Sequence, residues 1–262
     1  MRQALSQKGF TLVELLVALA IAGIVATAMV NTFASQSITN AEQEQIVDMQ
    51  QDLRAGFDLL AREIRMAAFN PARAAGIGWV TAEASQITFS MDLNGNGSVV
   101  GDVDEYVSYA VSNIAGISSL GRKGSPGAIN FGAVAENIVA LGFAYAFDTN
   151  DDGALETDAG QVIWAVPNGG NWFDLDVNDD GLIDATDDTD GDGTITGTDT
   201  GIAADVVDIR AVRIWVLAKT ESTSRGQLDS RSYVVGNQVV TPNDKSRYRL
   251  LTSIERCRNA GL

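Results

Sequence analysis

The sequence predicts an α+β fold in which one long N-terminal helix packs on an antiparallel β-sheet that carries an acidic insert. Three observations lead to this prediction. An apolar run at residues 10–30 continues into an amphipathic helical pattern. Short segments rich in β-branched and aromatic residues follow, with glycine-rich stretches between them. Residues 148–208 hold 17 of the 34 acidic residues and contain no lysine or arginine.

The first element is the apolar run FTLVELLVALAIAGIVATAMV, from Phe10 to Val30. Its length is about what a helix needs to cross ~30 Å of hydrocarbon. Arg2 and Lys8 precede the run and no charge follows it closely, so we expect a single pass with a cytoplasmic N-terminus. A cleavable signal peptide usually has a shorter apolar core. The carboxylate of Glu14 near the start of the run also argues against a signal peptide, because a charge in lipid is costly.

Helical periodicity continues beyond the apolar run. Apolar side chains recur at spacings of three and four and form one stripe, which consists of Ile46, Met49, Leu53, Phe57, Leu60 and Ile64. Pro71 disfavours helical backbone at Asn70 and therefore sets the expected end of the helix. We predict one helix from about Phe10 to Phe69, within an N-terminal helical region of residues 10–70. An independent coiled coil is the alternative for the stripe.

The remainder, residues 71–262, is predicted to form a β-rich head. The segments with the alternation typical of strands are Ile87–Met91, Tyr106–Val111, Ile138–Phe147, Val162–Val166, Val206–Leu217 and Arg247–Ile254. Glycine-rich stretches such as Gly121–Gly127 are expected to separate them. An antiparallel sheet laid against the helix would bury both the strands and the apolar stripe.

The segment KGFTLVE, residues 8–14, resembles the cleavage motif of type IV prepilins and pseudopilins. The resemblance implies a pilin fold, a leader of residues 1–9, peptidase cleavage between Gly9 and Phe10, and methylation of the Phe10 amine. It implies an assembly role for Glu14, whose carboxylate would pair with a neighbouring subunit's N-terminal amine in an apolar core. The expected partners are the prepilin peptidase and other major and minor pilins. The expected location is the inner membrane with a periplasmic head, and then a pilus (fimbrium) on the cell surface.

Later segments resemble the PilW family of minor pilins. They are LLAREIRMAAFN at 59–70, VRIWVL at 212–217, and YRLLTS at 248–253 followed by Arg258-Asn259. The resemblance implies a minor pilin that takes part in the assembly, priming or capping of a type IV pilus. Minor pseudopilin J of type II secretion has a similar layout and is one alternative. A calcium-dependent adhesin at the fibre tip is another, with Trp164, Trp172 and Phe173 beside the insert as its candidate contact surface.

Composition argues against two classes of function, nucleic-acid binding and catalysis. The net charge is −16, but outside residues 148–208 the chain carries 17 acidic against 18 basic residues, so the acidity belongs to one segment. Nucleic acid is excluded as an expected partner, because its phosphates would be repelled. There is no histidine, which removes the commonest general base and zinc ligand, and no motif marks a nucleophile. We therefore expect a structural protein and not an enzyme, with its single cysteine, Cys257, buried and inert.

Two adjacent runs in the insert have the spacing of twelve-residue calcium loops, with oxygen donors at positions one, three, five, nine and twelve and glycine at six. The first offers Asp176, Asn178, Asp180, Asp184 and Asp187, with Gly181 sixth and the Leu182 carbonyl seventh. The second offers Asp188, Asp190, Asp192, Thr196 and Asp199, with Gly193 sixth and the Thr194 carbonyl seventh. Ile183 and Ile195, the eighth residues, are expected to point into the core. Because both loops end in Asp and not in a bidentate Glu, we predict Ca²⁺ sites with a Kd of ~10⁻⁴–10⁻³ M.

Two other runs match part of this pattern. Asp148, Asn150, Asp152 and Glu156 fill the early positions of one run, but its twelfth residue is Ala159. Asp92, Asn94, Asn96 and Gly97 begin the other, but its twelfth residue is Val103. The residue types favour hairpin turns for both, since Asn, Asp and Gly tolerate the backbone that such turns require. A third ion site is the alternative.

Overall fold

The structure is a computed structural model that describes residues 9–125, 127–221 and 228–260. Of the predicted leader, residues 1–9, only Gly9 is among them. The chain divides into two compact units, Met1–Gln45 and Ile46–Leu262. Each unit is described by itself below.

The first unit contains the beginning of helix α1, Leu12–Met66. By length and composition α1 could cross a membrane, and no residue of its most apolar 18-residue window is buried. Thr11 caps the helix: its amide and its hydroxyl each donate to Glu14 Oε2 at 2.9 Å, and the Glu14 amide donates back to Thr11 Oγ1 at 3.3 Å. This reciprocal arrangement is a capping box. Glu14 therefore has a local role at the helix start in addition to any role in assembly.

In the second unit, α1 buries the predicted stripe. Met49, Leu53, Phe57, Leu60 and Ile64 are all buried, whereas Ile46 is half-buried. They join one apolar core with residues of the β-strands that follow. Residues of the same chain therefore cover the stripe, as predicted, and the coiled-coil alternative is wrong.

The helix ends at Met66, before the predicted Phe69. Ala68 adopts a left-handed conformation with φ 61°. Its amide donates to the carbonyl of Ser90 at 3.1 Å. This hydrogen bond to the last residue of strand β2, Gln86–Ser90, thus ends the helix before the position at which Pro71 would disfavour helical backbone.

The strands form two main antiparallel sheets where one was predicted. In chain order they are β1 Trp79–Ala82, β2 Gln86–Ser90, β3 Tyr106–Ile114, β4 Ile117–Lys123, β5 Gly132–Glu136, β6 Ile138–Phe147, β7 Thr157–Asp158, β8 Gln161–Val162, β9 Ala165–Asn168, β10 Asn171–Asp174, β11 Thr198–Asp199, β12 Ile209–Lys219, β13 Tyr233–Val235, β14 Gln238–Val240 and β15 Tyr248–Arg256. One sheet has the order β1-β2-β3-β4-β5 and the other β11-β10-β9-β6-β12-β15. β7-β8 and β13-β14 are separate two-stranded sheets.

Four predicted strands correspond closely to β2, β3, β6 and β15. The predicted strand Val162–Val166 is interrupted, since its ends fall in β8 and β9. The predicted strand Val206–Leu217 begins instead with a 3₁₀ turn, Val206–Asp208, before β12. Gly121 was predicted to lie in a linker but lies inside β4, where a Cβ atom would come within 3.0 Å of Phe131. Glycine is needed at this position for packing, and it does not mark a turn.

A charged cluster inside the second unit fixes α1 to the five-stranded sheet. Arg122 donates from Nε and from its terminal nitrogen to the two carboxylate oxygens of Glu63, both at 2.9 Å. Tyr109 donates to the same carboxylate at 2.6 Å. Burial and this hydrogen bond raise the pKa of Tyr109 well above its usual value. The sequence offers no signal for this pairing, because its partners are distant in the chain.

The central strand β6 leaves no room for a side chain at Gly142. A Cβ atom there would lie within 3.0 Å of backbone atoms of Val235 and Gly236. The β13-β14 hairpin therefore approaches β6 through its backbone, and this contact requires glycine.

The same hairpin region holds two Asp–Tyr pairs. Tyr233 donates to Asp229 Oδ2 at 2.9 Å, and Tyr248 donates to Asp244 Oδ2 at 3.0 Å. An isolated antiparallel bridge joins Asp229 to Asp244. Burial, followed by the hydrogen bond to the carboxylate, raises the pKa of each tyrosine to about 12.

Cys257 follows β15 directly and is buried, as predicted. Its amide donates to the Arg210 carbonyl at 2.8 Å. Burial raises the pKa of the thiol to about 12. The thiolate, which is the reactive form, is therefore strongly disfavoured in the folded chain.

Candidate functional sites

The predicted cleavage site lies just before α1. Gly9 and Phe10 are both exposed, and the Phe10 side chain is 90% exposed. No described heavy atom lies within 4 Å of the position that a Cβ atom of Gly9 would occupy. Among the described residues, nothing shields this peptide bond from a protease.

The first insert loop, residues 176–187, lies between β10 and β11 and folds as its spacing predicts. The buried Asp176 accepts the amide of Asp180 on Oδ1 at 3.1 Å and the amide of Gly181 on Oδ2 at 2.8 Å. Asn178 Oδ1 also accepts the Asp180 amide, at 3.0 Å. Asp179 and Gly181 have φ of 56° and 85°, which give the sharp turn. The side-chain oxygens of positions one and three thus converge on the amide of position five.

Asp187, the twelfth residue, closes this loop. It is 1% exposed, and its Oδ1 accepts the amides of Val177 at 2.8 Å and Asn178 at 3.4 Å. Its Oδ2 accepts the amide of Asp184 at 2.9 Å. Burial raises the pKa of Asp187. Hydrogen bonds from amides of the same loop therefore fix the side chains of positions one, three and twelve.

The ninth residue, Asp184, remains at the surface. Its Oδ1 accepts the amide and the hydroxyl of Thr186, each at 2.7 Å. These hydrogen bonds hold the pKa of Asp184 below its usual value.

The second insert loop, residues 188–199, brings together only part of its predicted ligand set. Carboxylate oxygens of Asp188, Asp190 and Asp192 lie within 4.8 Å of one another. Asp188 accepts the amides of Gly191 and Gly193, each at 2.9 Å. These three carboxylates are the clearest cluster of candidate ligands in the insert.

The twelfth residue of the second insert loop, Asp199, has partners outside the loop. Asp199 belongs to β11, where its Oδ2 accepts the amide side chain of Asn171 at 2.8 Å and its Oδ1 accepts the Gly201 amide at 2.9 Å. Thr196 is exposed. Pairing of β10 with β11 therefore gives the twelfth residue a different set of partners from those of Asp187.

The eighth residues face the core, as predicted. Ile183 is 7% exposed and Ile195 is fully buried, and both join an apolar cluster with side chains of β6 and β12. The Ile195 amide donates to the Asn237 carbonyl, and the Val239 amide donates to the Gly193 carbonyl, each at 2.8 Å. These contacts fix the second insert loop to the β13-β14 hairpin.

The β6–β7 loop, residues 148–156, has the same shape as the first insert loop. Asp148 is buried and accepts the amides of Asp152 at 3.1 Å and Gly153 at 2.9 Å. Asn150 Oδ1 accepts the Asp152 amide at 3.0 Å. Glu156 Oε1 accepts the amide of Thr149, the second residue of the loop, at 3.2 Å. Glu156 thus closes this loop from the ninth position, which explains why Ala159 at the twelfth is tolerated.

An acid-lined cleft of about 290 Å³ connects the β6–β7 loop with the first insert loop. Its acidic lining consists of Glu156, Asp158, Asp174, Asp176, Asp179 and Asp199. Burial raises the pKa of Asp174 to about 6, and the nearby carboxylates of Asp176 and Asp179 add to this increase. Sequence reasoning missed Asp174, and its place two residues before Asp176 was the available signal.

The tryptophan side chains beside the insert are not a contact surface. Trp164 and Trp172 are buried, and Phe173 is half-buried. Trp172 donates from Nε1 to the Ala204 carbonyl at 2.8 Å, and its ring lies 4.6 Å from that of Phe147. Trp164 and Trp172 therefore pack in the core and offer no contact surface, whereas Phe173 is partly accessible.

Comparison with known proteins adds a match to a sequence family and a likeness to solved structures. The family model for the prokaryotic N-terminal methylation motif matches residues 5–30. No curated protein sequence matches the chain. Among solved structures, a type IV-like pilin from Thermus thermophilus aligns with a TM-score of 0.42 and 14% identity, over 81% of this chain and 98% of that chain. The chain therefore carries a prokaryotic N-terminal methylation motif at the start of a helix that is long and apolar enough to cross a membrane.

Proposed function

We propose that this chain is a type IV pilin-like structural subunit that is made as a prepilin. The observation that carries the proposal is the methylation motif at residues 5–30, which leads directly into the exposed apolar part of α1. Cleavage between Gly9 and Phe10 would free the Phe10 amine for methylation and leave Glu14 as the fifth residue. The apolar helix then anchors the subunit in the inner membrane, with its N-terminus cytoplasmic and its head periplasmic, until assembly.

The experiment is mass spectrometry of the full chain expressed with and without a prepilin peptidase. We expect loss of residues 1–9 and one added methyl group on Phe10 only when the peptidase is present. Gly9→Val should block cleavage, because a branched side chain replaces the exposed glycine at the cut. Gly23→Val is the matched control, since Gly23 also lies in open space and outside the cleavage motif. An intact wild-type N-terminus in the presence of the peptidase would overturn the proposal.

Within this class we propose a minor pilin that primes or caps the fibre together with other major and minor pilins. The segments at 59–70, 212–217 and 248–253 that resemble the PilW family support it. A minor pseudopilin of type II secretion is the competing role. Deletion of the gene decides between them: loss of surface pili supports the minor pilin, and loss of protein secretion with normal pili supports the pseudopilin. A calcium-dependent adhesin is the other alternative, and the burial of Trp164 and Trp172 leaves the acidic insert as its candidate binding surface.

We also propose that Ca²⁺ stabilises the head through the two insert loops. Asp176 and Asn178 both accept the Asp180 amide, and Asp187 accepts the Val177 amide of the same loop. These contacts and the three clustered carboxylates of the second loop support this role. Without a cation these carboxylates repel one another, so binding favours the folded loop. Ca²⁺ at ~100 times its Kd should add about 2.7 kcal/mol to the free energy of unfolding.

The test is thermal unfolding of the full chain in detergent with Ca²⁺, with Mg²⁺, or with a chelator. We expect a rise in Tm that is specific to Ca²⁺ and that decreases in Asp180→Ala and Asp192→Ala. Equal Tm values in Ca²⁺, Mg²⁺ and chelator would reduce the insert to a solvated acidic segment. The pilin proposal would then depend on the N-terminus alone.

A further inference from the structure

The β2–β3 loop, residues 91–105, buries two carboxylates at its base. β2 and β3 pair up to Ser90 and Tyr106, and the next rung is the hydrogen bond from the Met91 amide to the Glu105 carbonyl at 2.9 Å. This pairing places Asp92 and Glu105 at the mouth of the loop. Asp92 is fully buried and Glu105 is 2% exposed.

Asp92 organises the loop as Asp176 organises the first insert loop. Its Oδ1 accepts the amides of Gly95 at 2.7 Å and Asn96 at 3.1 Å, and its Oδ2 accepts the amide of Gly97 at 2.9 Å. Gly95 and Gly97 have φ of 74° and 76°. Asn96 also donates to Asp102 Oδ2 at 2.9 Å, which keeps a third carboxylate beside the loop.

Glu105 occupies the place that Asp187 has in the first insert loop. Its Oε1 accepts the amides of Leu93 and Asn94, the second and third residues of the loop, each at 2.9 Å. Asp187 accepts the amides of the same two positions in its own loop. The closing acid therefore stands two residues after Val103. The spacing of a twelve-residue loop does not reveal Glu105, because it is the fourteenth residue counted from Asp92.

The second oxygen of Glu105 has no partner. Oε2 is buried and accepts no hydrogen bond from any described residue. The amide that would be equivalent to the Asp184 donor belongs to Val100, and it donates instead to the Ser98 hydroxyl at 3.2 Å. Oε1 of the same carboxylate accepts the amides of Leu93 and Asn94, so the unpartnered oxygen belongs to a carboxylate that is held at the base of the loop.

Among the described residues, neither buried carboxylate forms an ion pair with a basic side chain. The ion pairs there join arginines to other acids, namely Glu63, Asp104, Asp151, Asp229 and Glu255. Buried charges in proteins are paired or bind a metal. Two buried carboxylates that meet at one loop, one with a free oxygen, therefore leave a cation as the missing partner.

We propose that the β2–β3 loop binds a divalent cation, and that the cation is Ca²⁺. The side-chain oxygens of Asp92, Asn94, Asn96 and Glu105 are the ligands, and the backbone carbonyl of Ser98 has the seventh position of the pattern. All are hard oxygen donors, which excludes a preference for soft metals. A loop with two carboxylates and neutral amides suits Ca²⁺, which takes 6–8 oxygens in flexible geometry, better than Mg²⁺, which demands a regular octahedron. The proposal depends neither on the pilin assignment nor on the insert loops.

The test counts Ca²⁺ ions on the full chain in detergent by native mass spectrometry and measures affinity by calorimetry. Glu105→Gln keeps the shape and the Oε1 acceptor but removes the charge, and we expect it to lose one ion. Asn96→Ala leaves both buried carboxylates in place, and we expect binding at this site to weaken by about tenfold. Glu136→Gln is the matched control, because Glu136 is an exposed acid in the same sheet and should change nothing.

The outcomes separate this site from the insert loops. One ion should persist in the double variant Asp180→Ala, Asp192→Ala and be lost when Glu105→Gln is added. If that double variant binds no Ca²⁺, the β2–β3 site is wrong while the insert proposal stands. Unchanged ion number and affinity in both Glu105→Gln and Asn96→Ala would also overturn it. Should Glu105→Gln fail to fold, Asn96→Ala alone decides, because its side chain is exposed.

Discussion

In four loops of the head, one aspartate at the base of the loop fixes the turn by accepting a backbone amide. Asp92, Asp148, Asp176 and Asp188 each accept the amide of the sixth residue of their own loop. Spacing could predict this part, because the contact is local and the sixth residue must be glycine with positive φ. Spacing also predicted Asp187, which closes the first insert loop, but it could not predict Glu105, whose place depends on strand pairing. Pairing of β2 with β3 brings in Glu105, whereas pairing of β10 with β11 occupies Asp199.

The difference between Asp187 and Asp199 gives a direct prediction. Asp187→Asn should weaken the Ca²⁺-dependent rise in Tm, because Asp187 closes the first insert loop. Asp199→Asn should leave that rise nearly unchanged. The carboxylate of Asp199 accepts hydrogen bonds from the Asn171 side chain in β10 and from the Gly201 amide after β11, and not from the first insert loop. Calcium titrations of Tm for the two matched variants check this. Equal losses in both would mean that the sequence spacing, and not the present contacts, describes the bound loop.

At Gly142 the prediction concerns packing. Gly142→Ala should lower the free energy of unfolding by about 3 kcal/mol, because the new methyl group meets the backbone of Val235 and Gly236 and neither can move aside like a side chain. Urea unfolding measures the loss. Gly127→Ala is the control, since its Cβ atom would meet no described atom within 4 Å. Similar stability of the two variants would contradict the close approach of the hairpin to β6.

At the scale of elements, local patterns predicted the strands better than their boundaries. The apolar run of β6 was clear because both faces of this strand are buried, one in each apolar cluster. The end of α1 was misplaced because a hydrogen bond from Ala68 to Ser90, and not Pro71, ends the helix. Gly121 was assigned to a linker because a glycine needed for packing inside a strand looks the same in the sequence as a glycine needed for a turn.

Two tyrosines near the β13-β14 hairpin should make the folded chain less stable in alkali. Tyr233 and Tyr248 have a pKa of about 12 in the folded chain, against about 10 when unfolded. Their contribution is fully present below pH ~10 and is lost as pH rises through about 12, because the unfolded chain releases the phenolic protons more readily. Urea midpoints between pH 9 and 12 measure it. In Tyr233→Phe with Tyr248→Phe this loss should be smaller, and an unchanged pH dependence would exclude these tyrosines as its source.

At the scale of the whole molecule, the sequence predicted the segments of the chain better than the arrangement of its sheets. The apolar run, the amphipathic stripe and the acidic insert were each identified by composition or periodicity. The presence of two sheets was missed, because strand order depends on contacts that are distant in the chain. The ion pair between Glu63 and Arg122, which fixes α1 to one of these sheets, was missed for the same reason, because the two residues are distant in the chain.

The position of Cys257 has a practical consequence for the whole chain. The thiol is buried immediately after β15, the edge strand of the six-stranded sheet, so we expect a labelling reagent to react with it much faster when that end of the chain detaches. Labelling of Cys257 therefore reports detachment of this end of the chain, and no other cysteine in the sequence would add to the signal. In an oxidising compartment the same burial also keeps folded copies from joining through a disulfide. Any covalent dimer would therefore record a chain that had opened first.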